Sequence, residues 1–444
     1  MTKTIITAIA FALLSVVVGD GCRAQRTTTL TLGQMFELAE RQNAEIGTAR
    51  KSVDVSRQQQ DVARAGRLPQ ISASLSLSYL GDGTILDRDF SNAMRDKLPH
   101  FSNQLGVEVY QPVYTGGAIS GGIEMAKTQT ALSSVGLDGV RNQIRMAIVS
   151  NYLELAKCHN LLAVYDENIA LVEKLISEMQ LKRDQGIVLK NDITRYELRL
   201  STLRYDRLST ENAVKICNTN LVSLLGLDES EVIVPTGLST TPAASFPKSS
   251  VDEWMQSAMG NAPLLRSLSL QSSMESTARK ITHSEYIPKI GLIAGDSFQG
   301  PITFEVPALD KNYNAWFVGV NVKWNISSLF TTGKSTRKHD LELARISSER
   351  DAAVDATGRN IREAFTLYGQ AIERLEIERK NVSLAEENYE VVANRFNNQI
   401  ALLTDMLDAS NARLDAGVRL VNAEISAQFY YYQLHFIAGS LTSL

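Results

Sequence analysis

Apolar and polar residues alternate from Ile71 to Tyr79, which reads Ile-Ser-Ala-Ser-Leu-Ser-Leu-Ser-Tyr. A period of two predicts a β-strand with one greasy and one wet face. Gln104 to Val109 alternates in the same way. So does Asn314 to Trp324, where Trp316, Val318, Val320, Val322 and Trp324 share one face, with Asn321 and Lys323 on the other. Ile290, Leu292 and Ala294 open a fourth, weaker run. About ten residues is the length of a tilted membrane strand, and aromatic ends suit a membrane–water belt. A water-soluble sandwich with one buried face uses the same pattern, so the strands alone leave both open.

Elsewhere the period changes to that of helices. No proline occurs between Ala118 and Arg183, and a seam runs through Ile144, Ile148, Asn151, Leu155, Cys158, Leu162, Tyr165, Ile169, Val172, Ile176 and Met179. Steps of four and three mark a coiled coil with one polar seam member. Some 65 residues at 1.5 Å each make a helix of about 100 Å, a spacer or wall rather than a core element. A turn is predicted at Gln185-Gly186-Ile187, with a return helix through Ile193, Tyr196, Leu200, Leu203, Val214, Cys217, Leu221 and Leu224. A second hairpin follows the same plan. Its seam includes Ile361, Phe365, Tyr368, Ile372, Leu375, Val382, Tyr389 and Phe396, its turn lies near Gln399, and its return helix runs to about Phe436.

The order of these elements repeats. Pro69 and Pro288 are 219 residues apart, the Asn-Ala pairs at 43 and 261 are 218 apart, and Gly117 and Gly333 are 216 apart. Near-constant offsets through several landmarks mean a duplicated unit. The first repeat is placed at 25–227 and the second at 251–444, each a helix, two strands and a long helical hairpin. Residues 228–250 carry three of the ten prolines and read as the linker.

Composition narrows the class. The 444-residue chain has 45 Lys and Arg against 49 Asp and Glu, a net charge of −4, which argues against nucleic acid as a partner. At 44% hydrophobic residues the chain is ordered. Lys3, an apolar run from Ile5 and small residues predict a secretory signal at 1–24. Two endings compete: cleavage after Ala24, or lipidation of Cys22, where Gly19 stands in place of the leucine usual in a lipid box. No other segment approaches 18 uninterrupted apolar residues. The exported chain is therefore soluble or crosses a membrane by β-strands. Four strands cannot close a barrel, and an open sheet edge in lipid leaves amide groups unpaired. Closure then requires several copies: two give eight strands and a filled interior, three give twelve and a lumen.

Cys158 and Cys217 both occupy seam positions, equidistant from the hairpin turn. They face each other as a disulfide of an oxidising compartment or as two small core residues. Other chemistry finds little support. Ser328-Leu-Phe-Thr-Thr-Gly333-Lys334-Ser335 ends like a phosphate-binding loop but has serine where the first glycine belongs. The five histidines lack metal-ligand spacing and no activated nucleophile motif occurs, so neither enzyme activity, metal nor cofactor is expected.

The residues together resemble the TolC-like outer membrane efflux protein family. The resemblance rests on Leu32, Ala39, Asn43 and Glu45, on Leu68-Pro69-Gln70, on Gln111-Pro112-Val113-Tyr114-Thr115-Gly116-Gly117, and on the tips Gly186–Asp192 and Arg395-Phe396 through Asp405-Met406-Leu407-Asp408-Ala409. It implies an α+β fold in which a duplicated unit gives long coiled-coil hairpins plus four membrane strands. Three protomers would complete a 12-stranded β-barrel in the outer membrane lipid of a Gram-negative bacterium, continued by a periplasmic α-helical barrel. It implies the exit duct of a tripartite efflux or secretion system, docked on a periplasmic adaptor and an inner-membrane transporter. It assigns Asp405 and Asp408 to acidic rings at the periplasmic gate, and Asp192 and Phe396 to a lock between neighbouring tips. Gln399 replaces the glycine of the second tip and Ala401 a lock arginine, so other contacts would hold a closed gate. The residues themselves offer Asp405 and Asp408 a second role, since a carboxylate near a helix start also caps it. The rival to a duct is a non-transporting exported coiled-coil or surface-adhesion protein.

Overall fold

The computed structural model describes residues 26–186, 188–236, 250–305, 307–398 and 400–441. The signal segment 1–24, Cys22, the later part of the linker and Gln399 lie outside the described residues. The strands are β1 (Arg26–Leu30), β2 (Gln70–Tyr79), β3 (Gly83–Ile85), β4 (Met94–Asp96), β5 (Phe101–Tyr114), β6 (Glu231–Pro235), β7 (Lys289–Gly300) and β8 (Tyr313–Lys323). The helices are α1 (Leu32–Gln42), α2 (Ala44–Ala65), α3 (Ala118–Asp184), α4 (Lys190–Leu225), α5 (Val251–Asn261), α6 (Pro263–His283), α7 (Ser328–Asn397) and α8 (Leu403–Ile437). Both long hairpins fall where the seams place them, and α3 and α7 run 67 and 70 residues.

The chain divides into two compact units, each drawing on both repeats. One holds the segments Met1–Thr48, Asp138–Ala262 and Ala356–Leu444. Its α1 begins with a capping box: the Thr31 hydroxyl accepts the Gln34 N–H at 3.4 Å and the Gln34 side chain accepts the Thr31 N–H at 2.9 Å. Asn43 makes the joint to α2. Its Oδ1 accepts the N–H groups of Glu45 and Ile46, and its Nδ2 donates to Leu224 O at 2.8 Å. That geometry explains why asparagine stands at this point of the opening motif. The seam residues Leu155, Cys158, Cys217 and Leu221 are buried, and so are Tyr152 and Leu225 beside the predicted seam, while Leu224 is half-buried. The seam's polar member, Asn151, accepts from Asn220 Nδ2 at 3.2 Å, a contact that fixes the register of the two helices.

No periodic pattern marks β1, and β6 falls inside the predicted linker. They pair in parallel, Arg26 opposite Glu231 through Leu30 opposite Pro235. Asn218 of α4 satisfies the other edge of β6, donating to Glu231 O and accepting from Ile233 N, both at 2.8 Å. A five-residue strand whose partner lies some 200 positions away leaves no local periodic signal.

The other unit, Ala49–Leu137 and Pro263–Asp355, carries the main sheet. Its strand order is β2-β5-β7-β8, antiparallel throughout. The chain passes from β5 into α3 through Gly116 and Gly117, with φ of +63° and +93°. A Cβ on Gly116 would stand 3.0 Å from Ser284 O, so glycine is needed there for space as well as for backbone angle.

Candidate functional site

The register of the main sheet joins the four greasy faces into one. Ile71 lies opposite Val109, Val109 opposite Ala294, and Ala294 opposite Val318. A second row runs Leu75, Leu105, Phe298. Much of this face is open among the described residues: Ile71 is 71% exposed, Val318 73% and Trp316 76%. A water-soluble sandwich would bury this face, so the exposure favours the membrane alternative. Asp296 interrupts the face, opposite Val107 and Trp316.

The opposite face carries Ser72, Ser74, Ser76 and Ser78 of β2 and Gln104 and Glu108 of β5. It is not uniformly wet. The rings of Tyr110 and Phe317 lie over Gly291 and Gly295, where a Cβ would collide with them. Alternation is weakest in β7 because Asp296 stands on the greasy face and Ile293 on the other. Among the described residues, both outer strands, β2 and β8, have an edge without a neighbour. Among the described residues, no helix is long and apolar enough to cross a membrane.

At the far end of the two hairpins, α3, α4, α7 and α8 share one core. Val172, Ile176 and Met179 of α3 and Ile193, Tyr196 and Leu203 of α4 join Met406 and Leu414 of α8. Phe396, near the end of α7, packs half-buried against this core, with Lys182 Nζ 5.1 Å from its ring centroid. Asp192 and Asp405 are the third residues of α4 and α8 respectively. Both helices are preceded by leucine, Leu189 and Leu402, so the two acids stand at matching places in the repeat. The Asp405 carboxylate reaches back to accept the Leu402 N–H at 3.0 Å. It thus satisfies one of the unpaired donors at the start of α8. Asp408, one turn on, is exposed. Gly186 turns the first tip with φ of +74°.

Cys158 and Cys217 are buried free thiols, near enough that charge on Cys217 acts on Cys158. Burial first, then the carboxylate of Glu154, pushes the Cys158 thiol up to about 11, against the pull of Lys157. Burial also raises Cys217. A raised thiol is mostly unreactive near neutral pH, because only the thiolate attacks. Native protein at pH 8 should therefore alkylate with iodoacetamide about 100-fold more slowly than a free cysteine, and unfolded protein should take two labels without reductant. If labels appear only after reduction, the pair is bridged in the native chain. Among the described residues, no cluster of histidine, cysteine and acidic groups is arranged to hold a metal.

Comparison with known proteins gives the same picture. The model of the family described as "Outer membrane efflux protein" matches residues 35–227 and 254–440. The chain is 22% identical over 429 residues to the outer membrane efflux protein BepC of Brucella suis biovar 1 (strain 1330), covering 96% of this chain and 89% of that one. Its fold is shared with the outer-membrane channel OprN, at a TM-score of 0.77 and 17% identity, covering 92% of this chain and 90% of that one. The outer membrane protein VceC of Vibrio cholerae gives 0.75 and 14%, covering 92% and 96%. An exposed greasy sheet, two long hairpins and a family match over both halves have one reading: the chain belongs to the outer membrane efflux protein family and is an outer-membrane channel of a Gram-negative bacterium, the exit duct of a tripartite efflux or secretion system.

Proposed function

We propose that the working duct is a homotrimer, in which β8 of each copy pairs with β2 of the next to close a 12-stranded barrel. The observation that carries this is the four-stranded sheet with two open edges and an uncovered greasy face. Unpaired edge amides cost several kcal/mol each in lipid, so the sheet is stable there only when closed. Two copies would give eight strands, whose interior side chains fill the tube, whereas three leave a water-filled lumen. The helices support the same assembly. On α7, Ile377, Leu384 and Val391 recur every seven residues and are all more than half exposed. Such a stripe is a coiled-coil seam without a partner in its own protomer, and a neighbouring copy supplies one.

In this reading the halves 25–227 and 251–444 are products of one duplication, each contributing a strand pair and a hairpin. The hairpin tips meet the periplasmic adaptor and the inner-membrane transporter. Asp405 and Asp408 ring the entrance, while Asp192 and Phe396 take part in contacts between tips. Phe396 acts from the edge of its own helical core, where the Lys182 cation holds its ring.

Light scattering on the detergent-solubilised protein tests the assembly. Three chains per particle are expected; a particle of one or two overturns the trimer.

A further inference from the structure

We propose that the first turns of α7 form a binding site for the headgroup of an anionic phospholipid in the membrane leaflet on the helical side of the barrel. The inference rests on the outer-membrane reading above. The greasy face of β8 descends to Trp324, which is 46% exposed and whose indole N–H donates to Tyr286 O at 3.2 Å. Ile326 and Phe330 continue it, 61% and 78% exposed. Aromatic side chains at the end of a lipid-facing strand mark headgroup depth. The next exposed charged residues on α7 are Lys334, Arg337 and Lys338.

Helical spacing places these groups on one side. Phe330, Lys334 and Lys338 are spaced four apart and Arg337 stands three beyond Lys334, so all four fall within one side of the helix. The opposite side of α7 is the packed one: Ser328, Thr332 and Ile346 are buried there, and His339 contacts Glu275 of α6 at 2.6 Å. The acids nearby are already engaged. Asp340 pairs with Arg279 at 2.8 Å, Glu342 with Arg345 at 2.5 Å, and Glu285 with Lys289 at 2.8 Å. Lys338 adds a weaker pull on Glu342, one turn along. No ion pair within the protomer is recorded for Lys334, Arg337 or Lys338 among the described residues. Three cations below an aromatic row match a phosphodiester whose acyl chains lie along that row.

The duplication supplies an internal control. At the offset of the paired glycines, 216, the counterparts of Lys334, Arg337 and Lys338 are Ala118, Gly121 and Gly122. A Cβ on Gly121 would collide with Ile281 of α6, at 2.6 Å, so that helix start is packed where the second is open and basic. The cations are thus no requirement of the fold. They also give Lys334 a use outside nucleotide binding: Ser328, where a phosphate loop needs glycine, is buried and bonds Glu285 O and Asn325 O.

The test uses the full chain in neutral detergent, with native mass spectrometry counting lipid retained from mixed micelles of equal phosphatidylglycerol and phosphatidylethanolamine. Retention of phosphatidylglycerol over phosphatidylethanolamine on the order of 100-fold is expected at low salt, falling to a few-fold in the triple variant K334Q/R337Q/K338Q. Inorganic phosphate at the same concentration should not displace the lipid, since it lacks the chains that meet Trp324 and Phe330. Parity in the native protein, an unchanged preference in the variant, or displacement by phosphate overturns the site. So does dissociation of the variant into protomers, which would make this face a contact between copies. Single-channel conductance of both proteins in planar bilayers reports the duct separately, because the pore should conduct alike in each.

Discussion

Val318→Arg is expected to abolish insertion and assembly, so that the proposed trimer disappears from outer-membrane extracts while the unfolded chain accumulates. Val318 sits well inside β8, opposite Ala294, on the face that also carries Ile71 and Val109. It is 73% exposed in the protomer, so arginine meets no steric obstacle and the outcome reads the solvent alone. In water the change would be nearly neutral. At the midplane of a bilayer an arginine on the lipid face costs about 2–4 kcal/mol. With one such residue in each of three copies the total is about 6–12 kcal/mol, comparable to the whole stability of an ordinary domain. Asp296 on the same face is the milder case, because acids cost less there than arginine or lysine. The control is Ser72→Arg, opposite Glu108 on the other face. It should assemble normally and alter only ion selectivity. If Ser72→Arg fails and Val318→Arg assembles, the two faces have been assigned the wrong way round.

The pattern that selects these two positions was legible without coordinates, because alternation over nine residues specifies which side chains share a face. The helical hairpins were legible for a similar reason: a 3.5-residue seam without proline over 60 residues admits few structures. What escaped notice has physical causes. β7 runs twelve residues, yet Asp296 and Ile293 break its alternation, while Gly291 and Gly295 seat rings from β5 and β8. β1 and β6 are short and pair across the chain, so neither contains the information that makes it a strand. At the tips, spacing placed Asp405 and Asp408 on one helical face. It did not show that Asp405 closes back on Leu402, nor that Asp192 occupies the matching place on α4. Those depend on where each helix starts, a boundary that periodicity fixes only to within a turn. Lys334, Arg337 and Lys338 carry no periodic signal of their own; they become one basic side only once α7 starts at Ser328 beside the end of β8.

The double variant Asp405→Asn with Asp408→Asn should weaken pore block by multivalent cations on the order of 100-fold, leaving the trimer intact. Asparagine is the informative replacement because Asp405 has two tasks. Its carboxylate accepts the Leu402 N–H at 3.0 Å and so caps α8, and by the family resemblance it also contributes charge to the entrance. The amide oxygen of asparagine can still accept that hydrogen bond, so the helix start survives while the charge is lost. Alanine would remove both, costing about 1 kcal/mol of capping per copy and loosening the tip core that Met406 and Leu414 anchor. A raised conductance in an alanine variant would therefore not distinguish lost charge from a frayed tip. In a threefold ring the two positions bring six carboxylates to the lumen, and a multivalent cation passing them is held far more strongly than a monovalent one. Single-channel recordings with a trivalent cation on the periplasmic side measure the block directly. Block that persists at native affinity in the asparagine pair would reduce Asp405 to a helix cap and remove both acids from the gate.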